Sequence, residues 1–219
     1  PVWSPDGKSV AFSMLVPDEP ATFAKPPKSP EGADWAKPMR IIDDLVFRFD
    51  GAGYLPKGKT QIFTLSAEGG TPRQVTHGEN GFDAPQWLGN DALLVTGNEA
   101  EDADLDPIES EIYRVDLASE TVTALTQRDG PDFAPIVSPN GARIAYRGYD
   151  DKLKSYQQSD VYVMAPDGSG VQNLTANFDR SIDAIAWRPD GRALVGQTEV
   201  DGILTLVSID LSGNVRNLV

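Results

Sequence analysis

Trp187-Arg188-Pro189-Asp190-Gly191 restates three earlier stretches of the chain: Trp3-Ser4-Pro5-Asp6-Gly7, Trp87-Leu88-Gly89-Asn90-Asp91 and Val137-Ser138-Pro139-Asn140-Gly141. The last two intervals between them are both 50 residues. A second marker keeps the same beat at Val75-Thr76, Leu125-Thr126, Leu174-Thr175 and Leu218-Val219, with spacings of 50, 49 and 44 residues. Self-similarity at a fixed period of this size marks a stack of equal supersecondary units, and it constrains the fold more than any local motif.

The third unit carries the least decoration and shows what one repeat is. Phe133-Ala134-Pro135-Ile136-Val137 is a short apolar run whose proline removes a ladder donor, as suits an inner strand of limited pairing. Ser138-Pro139-Asn140-Gly141 then turns the chain: proline presets φ, asparagine tolerates the next position, and glycine takes the left-handed φ. Arg143 to Arg147 and Asp160 to Met164 alternate as further strands, Ala165-Pro166-Asp167-Gly168 makes a hairpin turn, and Val171 to Thr175 supplies a fourth strand. Four antiparallel strands in about fifty residues make a blade, and a blade buries its faces only by stacking on its neighbours. The fold class expected is all-β, a β-propeller fragment of about four four-stranded antiparallel blades, at residues 1–77, 78–127, 128–176 and 177–219. The Trp residues at three of the four turn anchors are read as packing between blades.

The first blade is interrupted by an insertion, 17–60, that holds seven of the chain's 17 prolines. Its front, Pro17 to Pro38, reads as loop or polyproline-like, and its back, Arg40 to Phe49, as an amphipathic strand able to dock on something. Long insertions of this kind often carry function.

Bulk composition excludes more than it selects. Thirty-three acidic against 19 basic side chains give a formal charge of −14, which repels phosphate backbones and anionic lipid, so neither nucleic acid nor a membrane is an expected partner. There is no cysteine, hence no disulfide, thiolate nucleophile or Cys-based metal site. That fits cytoplasm and periplasm alike, and no apolar run approaches the ~20 residues that cross a bilayer. The chain begins at Pro1 inside its first repeat, so a signal peptide, if the protein has one, is expected upstream.

Several motifs compete with this reading. Gly53-Tyr54-Leu55-Pro56-Lys57-Gly58-Lys59-Thr60 matches a phosphate loop by spelling, but a helix must follow such a loop, whereas Gln61 to Leu65 alternates as a strand. Asp102-Ala103-Asp104-Leu105-Asp106 opens like a calcium loop, then places Pro107 where glycine is needed and Tyr113 where a bidentate carboxylate belongs, so the loop 99–111 reads as a solvated acidic segment. No Gly-x-Ser-x-Gly elbow occurs, and the single imidazole, His77, falls at a connection between blades. No catalytic residue, metal site or cofactor is expected. The loop Arg48-Phe49-Asp50-Gly51-Ala52-Gly53-Tyr54 mixes charge with aromatics, which makes Arg48, Asp50 and Tyr54 the candidates for contact with substrate or with another domain, against the plainer reading of a surface ion pair. Asp150 to Gln157 is read as a surface loop of the same kind.

The Trp-Ser-Pro-Asp-Gly phrase resembles the TolB-like, WD40-like propeller repeat. Val46-Phe47-Arg48-Phe49-Asp50-Gly51-Ala52-Gly53-Tyr54, with Ala145 to Asp151 and Ser155-Tyr156-Gln157, resembles the propeller of bacterial prolyl oligopeptidase family serine peptidases of the acylaminoacyl and dipeptidyl peptidase branch. That resemblance implies a non-catalytic module that gates short peptides to a separate α/β hydrolase domain, absent from 1–219, which would be its partner in the same parent chain. Because the family's ring is typically of seven blades, it also implies that the protein continues on both sides. The alternative is a stand-alone TolB-like module for protein–protein interaction. An open arc exposes two blade faces, so self-association is expected as well.

Overall fold

A computed structural model describes residues 1–18, 27–36 and 39–219, and these contain strands and turns but no helix. The strands form four four-stranded antiparallel sheets, the blades of a partial β-propeller, and one small hairpin. The first sheet orders β1 (Val2–Trp3), β2 (Ser9–Pro17), β5 (Gly58–Ser66) and β6 (Arg73–Gln74), while β3 (Arg48–Phe49) and β4 (Gly53–Tyr54) form the separate hairpin within the insertion. The second sheet holds β7 (Phe82–Leu88), β8 (Ala92–Gly97), β9 (Glu111–Asp116) and β10 (Val122–Ala124). The third holds β11 (Asp132–Val137), β12 (Ile144–Gly148), β13 (Asp160–Met164) and β14 (Gln172–Asn173); the fourth holds β15 (Ala184–Trp187), β16 (Ala193–Val200), β17 (Ile203–Asp210) and β18 (Val215–Asn217).

The repeated phrase folds the same way each time because its side chains satisfy the turn. Ser4 Oγ donates to Asp6 Oδ1 at 2.7 Å and accepts from the Ser9 amide at 2.9 Å, and Asp6 also takes the Lys8 amide at 3.1 Å. Ser138 and Asn140 reproduce all three bonds in the third blade. Glycine closes the turn at φ of 70° for both Gly7 and Gly141, a region that costs other residues about 1 kcal/mol or more. The second marker has an equally local cause. Thr76, Thr126 and Thr175 each accept, through Oγ1, the amide of Ile62, Ile112 and Val161 at 2.9 Å, and each donates to the side chain just before that residue: Gln61, Glu111 or Asp160. The threonine thereby replaces backbone pairing beyond the end of the outer strand, which is why β14 covers only Gln172–Asn173 where five residues from Val171 are expected.

Prolines shape the inner strands. The β7 and β11 ladders lose register between Asp83 and Gln86 and between Phe133 and Ile136, where Pro85 and Pro135 offer no N–H and the preceding Ala84 and Ala134 take φ of 53° and 51°. With Ile185 at the corresponding place, β15 pairs without interruption.

Each junction between sheets is a core. Ala11, Ile62 and Val75 of the first blade pack on Trp87, Leu93 and Val95 of the second. Leu94 and Ile112 meet Ile144, Tyr146, Tyr162 and Met164 at the next junction, and Ala145, Val161 and Val163 meet Leu194, Val207 and Ile209 at the last. The pleat explains the allocation, since successive strand residues face opposite neighbours.

Three expectations change. Trp87 is buried and Trp187 half-buried as expected of inter-blade packing, but Trp3 is 63% exposed, because among the described residues no blade covers the face that carries it. The back of the insertion is not a ten-residue strand: only Arg48 and Phe49 pair, because Gly53–Tyr54 is the only strand opposite them among the described residues. The ladder of β2 with β5 runs further out than the alternation suggests, to Pro17 opposite Gly58. Of the proline-rich front, 27–36 carries no strand, and 19–26 and 37–38 lie outside the described residues.

Candidate functional site

The inner strands β1, β7, β11 and β15 bring the turn anchors together around an open axial groove of about 410 Å³. Its wall holds Trp3, Trp87, Trp187, Ile136, Ile185 and the side chain of Gln86. Two of the indoles are fixed across blade boundaries: Trp87 Nε1 donates to the Val2 carbonyl at 3.0 Å, and Trp187 Nε1 to the Ile136 carbonyl at 3.2 Å. Rings held in this way give the groove a fixed aromatic and aliphatic lining, with the Gln86 side chain among it.

The structure brings Arg48, Asp50 and Tyr54 onto one exposed hairpin. Arg48 pairs with Tyr54 across β3 and β4, Asp50 sits at the tip, and Gly51 and Gly53 turn the chain at φ of 82° and 75°. Around them lies an aromatic and basic surface: the Phe47 and Tyr54 rings are 6.2 Å apart, and the Arg40 guanidinium lies 4.2 Å over the Tyr54 ring. Among the described residues Arg48 and Asp50 make no ion pair with each other; the insertion's ion pair joins Lys57 to Asp43, whose carboxyl is held below its usual range by that hydrogen bond. Met39, Ile41, Leu45 and Phe49 are exposed beside it, a larger apolar surface than isolated surface residues produce.

The phosphate-loop spelling is spread over β4 and β5, and Gly58 is needed for a different reason than a phosphate. A Cβ there would stand 2.3 Å from the Val16 carbonyl oxygen, with φ at 136°. The acidic residues of 99–111 disperse to separate partners: Glu99 accepts the Asn80 amide at 3.3 Å, and Glu111 accepts from Thr126 and from the Arg128 amide. His77 lies on the surface 3.7 Å from Glu120, beside a shallow depression that Phe82 and Tyr113 also line.

One cluster has no signature in the sequence. Arg128, on the connection into the third blade, donates from Nε to Asp132 and from a terminal nitrogen to Asp150, both at 2.8 Å, and lies 4.2 Å over the Tyr162 ring. Tyr146 stacks on Tyr162 at 5.3 Å, and its buried hydroxyl has no hydrogen-bond partner. Asp132 is 1% exposed; burial pushes its carboxyl up to about 6 against the pull of Arg128. Burial lowers Arg128 too, but its bond to Asp150 and the charge of Asp132 outweigh this and raise it. Asp132 approaches so closely that a Cβ on Gly148 would stand 2.1 Å from its Oδ1. The charges are mutually satisfied, so this is a clamp between strands and not a vacant anion site. Asp150, read from sequence as a surface-loop residue, is its outer member, while Leu153 and Tyr156 of the same loop are exposed.

No protein-family model matches the chain. Among solved structures it is similar to the acylaminoacyl peptidase of Pyrococcus horikoshii, with a TM-score of 0.67 at 18% identity over 99% of this chain and 30% of that one. It is similar also to a putative TolB from Agrobacterium tumefaciens, with a TM-score of 0.62 at 20% identity over 99% and 63%. The shared fold is the β-propeller. Among curated proteins, an uncharacterised protein of Agrobacterium fabrum is 29% identical over 182 residues, covering 80% of this chain and 57% of that one. Dipeptidyl-peptidase 5 of Aspergillus fumigatus is 28% identical over 102 residues, 42% of this chain and 14% of that enzyme. The chain thus spans a little over half of one relative and a small part of the other.

Proposed function

We propose that this chain is the non-catalytic propeller part of a serine peptidase, gating the access of short peptides to an α/β hydrolase domain outside residues 1–219. The observation that carries this reading is the axial groove, an open cleft lined by three indoles, two of them fixed across blade boundaries, with no nucleophile, base and acid assembled along it among the described residues. The likeness to an acylaminoacyl peptidase and a dipeptidyl-peptidase supports it. In this reading selection is steric: a flexible peptide fits where a folded chain does not. The hairpin with Arg48, Asp50 and Tyr54 is assigned to contact with the hydrolase domain or the incoming substrate, and the charge of −14 biases admission toward cationic peptides.

The test uses the full-length parent protein and a series of chromogenic peptides of increasing length and of either charge. Expected are turnover that collapses beyond short peptides, a lower KM for cationic members, and a loss of that charge preference as salt rises. Equal turnover of short peptides and folded proteins, or no hydrolysis of any peptide, refutes the gate. A stand-alone interaction propeller is the second reading, favoured by the larger share, 63%, of the TolB-type structure that the chain covers. Its test is capture of a protein partner by a parent that hydrolyses nothing.

A further inference from the structure

The junction of the first and second blades and that of the second and third share one register. Phe82 stands opposite Gly97 as Asp132 stands opposite Gly148, and Tyr113 pairs with Val95 as Tyr162 pairs with Tyr146. Gly78 follows the marker threonine Thr76 by two residues, as Arg128 follows Thr126. Glu99 follows Gly97 by two residues, as Asp150 follows Gly148. Four members of the Arg128 clamp therefore have counterparts one blade earlier: Gly78 for Arg128, Phe82 for Asp132, Glu99 for Asp150 and Tyr113 for Tyr162. The outer carboxylate and the phenol ring are kept, and the guanidinium between them is missing.

The place that Arg128 fills is open at the earlier junction. All four counterparts line a cavity of about 390 Å³ at the rim, with His77 and Glu120 beside them. Tyr162, covered by Arg128, is buried, whereas Tyr113 is only half-buried. Glu120 is held by Arg73 and His77, both at 3.7 Å, but Glu99 enters no ion pair among the described residues and accepts the Asn80 amide at 3.3 Å. The glycines are set by space, since neither Gly78 nor Gly97 takes a positive φ. A Cβ at 78 would stand 2.5 Å from Phe82 Cε2 and 2.6 Å from Glu99 Oε1, and one at 97 would stand 2.6 Å from Phe82 Cδ1. Position 78 thus cannot furnish the cation that position 128 does.

We infer that this cavity binds a guanidinium group brought from outside, on an arginine side chain of another polypeptide. The clamp shows how such a group is held: it lies 4.2 Å over the Tyr162 ring while donating to Asp150 at 2.8 Å. Tyr113 and Glu99 offer the same two contacts, and Phe82, standing where the clamp has Asp132, offers an apolar wall to the methylene stem. A guanidinium suits this combination better than an ammonium, because it is planar and weakly hydrated, stacks on an aromatic face and donates from its edge to a carboxylate. The net charge of −14 favours the approach of a cation. Both blades that form the cavity are present in the chain, and it opens at the rim and not on the axial groove, so the site stands or falls separately from the gating role.

The test is isothermal titration of the full-length protein with N-acetyl-Gly-Arg-Gly-amide, with its lysine and citrulline counterparts, and with agmatine. Citrulline keeps the shape of arginine without the charge, and agmatine carries the guanidinium without a peptide chain. Expected is binding of the arginine peptide about tenfold tighter than the citrulline peptide and about threefold tighter than the lysine peptide. Glu99→Gln should weaken the arginine peptide about tenfold, whereas Glu101→Gln, exposed in the same loop and outside the cavity, leaves it unchanged. Gly78→Arg combined with Phe82→Asp rebuilds the clamp within the chain and should abolish binding, which gives a second variant that does not depend on Glu99. An unaltered unfolding midpoint establishes that each variant folds. Because the readout is binding and not turnover, failure of the gate and failure of this site are told apart. No binding of the arginine peptide, equal affinity for arginine and citrulline, an unaffected Glu99→Gln, or binding of agmatine but not of the peptide would overturn the proposal.

Discussion

Replacing Arg128 by Met keeps most of the stem that packs on Tyr162 but removes the charge that faces Asp132. The cost should depend on pH. Asp132 is 1% exposed and its carboxyl titrates at about 6 in the fold, above the ordinary 3.8. A folded pKa above the unfolded one means that the contribution of Asp132 is fully present below about pH 4 and is lost as pH rises through about 6. The whole shift corresponds to about 3 kcal/mol. Near pH 5 most of the folded protein carries Asp132 protonated with or without Arg128, so the substitution removes only the pair with exposed Asp150 and the cation–π contact, about 1 kcal/mol together. At pH 8 Asp132 without its partner must either ionise unpaired in its buried site or hold a proton that the unfolded chain gives up, and the loss grows to about 3–5 kcal/mol, the range for breaking a buried pair. Urea unfolding of the chain and of Arg128→Met at pH 5, 6, 7 and 8 measures this directly. Adding Asp132→Asn removes the orphaned charge and should recover most of the deficit at pH 8. A destabilisation independent of pH, or a double variant as unstable at pH 8 as the single one, would refute the account of Arg128 as the charge that keeps Asp132 ionised.

Two further substitutions test the repeat itself. Thr175→Val, nearly isosteric, leaves the buried Val161 amide and the Asp160 carboxylate without the hydroxyl that joins them, and should cost about 1–3 kcal/mol in urea unfolding, whereas Thr123→Val on the exposed outer strand should change stability by under about 0.5 kcal/mol. Gly58→Ala forces a Cβ to 2.3 Å from the Val16 carbonyl and should unfasten the end of the β2–β5 ladder, read as faster hydrogen exchange at Leu15 and Val16, while Gly51→Ala, with nothing within 4 Å, should bring only a backbone cost of about 1 kcal/mol.

The blades were legible because their signals are local and repeated. A turn phrase satisfied by its own serine and aspartate, and a threonine that bonds the strand beside it, need no distant residue to be recognised, and four copies multiply the evidence. The Arg128 clamp was hidden for the opposite reason. Its members, Arg128, Asp132, Asp150, Tyr146 and Tyr162, come from a connection, three strands and a loop tip, and nothing in their spacing announces that the pleat brings them together. The separation of Arg128 and Asp132 by four residues invites a helical reading, but the chain between them is a bend at Asp129 and Gly130 that leads into β11. Arg48 and Asp50 show the reverse error: their closeness in sequence suggests a pair, but β3 ends at Phe49 and Asp50 lies in the turn, and the ion pair there joins Lys57 to Asp43 instead.

Trp3 connects these two lessons. Its identity is set by the repeat, so sequence alone assigns it to a junction, and the geometry of such a junction is seen at Trp87 and Trp187, whose indoles donate to the Val2 and Ile136 carbonyls. What sequence cannot supply is the other side of the contact. A repeat defines each face relative to a neighbour, and a residue that obeys the rule while standing 63% exposed therefore carries more information than one that breaks it. It identifies the missing surface by the groups that surface must present: a carbonyl one residue before a turn anchor, and a basic or amide side chain two residues before a second marker. Ala186 and Arg216 occupy those positions in the fourth blade as Val2 and Arg73 do in the first, so the exposed indole marks a face built to meet another unit of the same repeat.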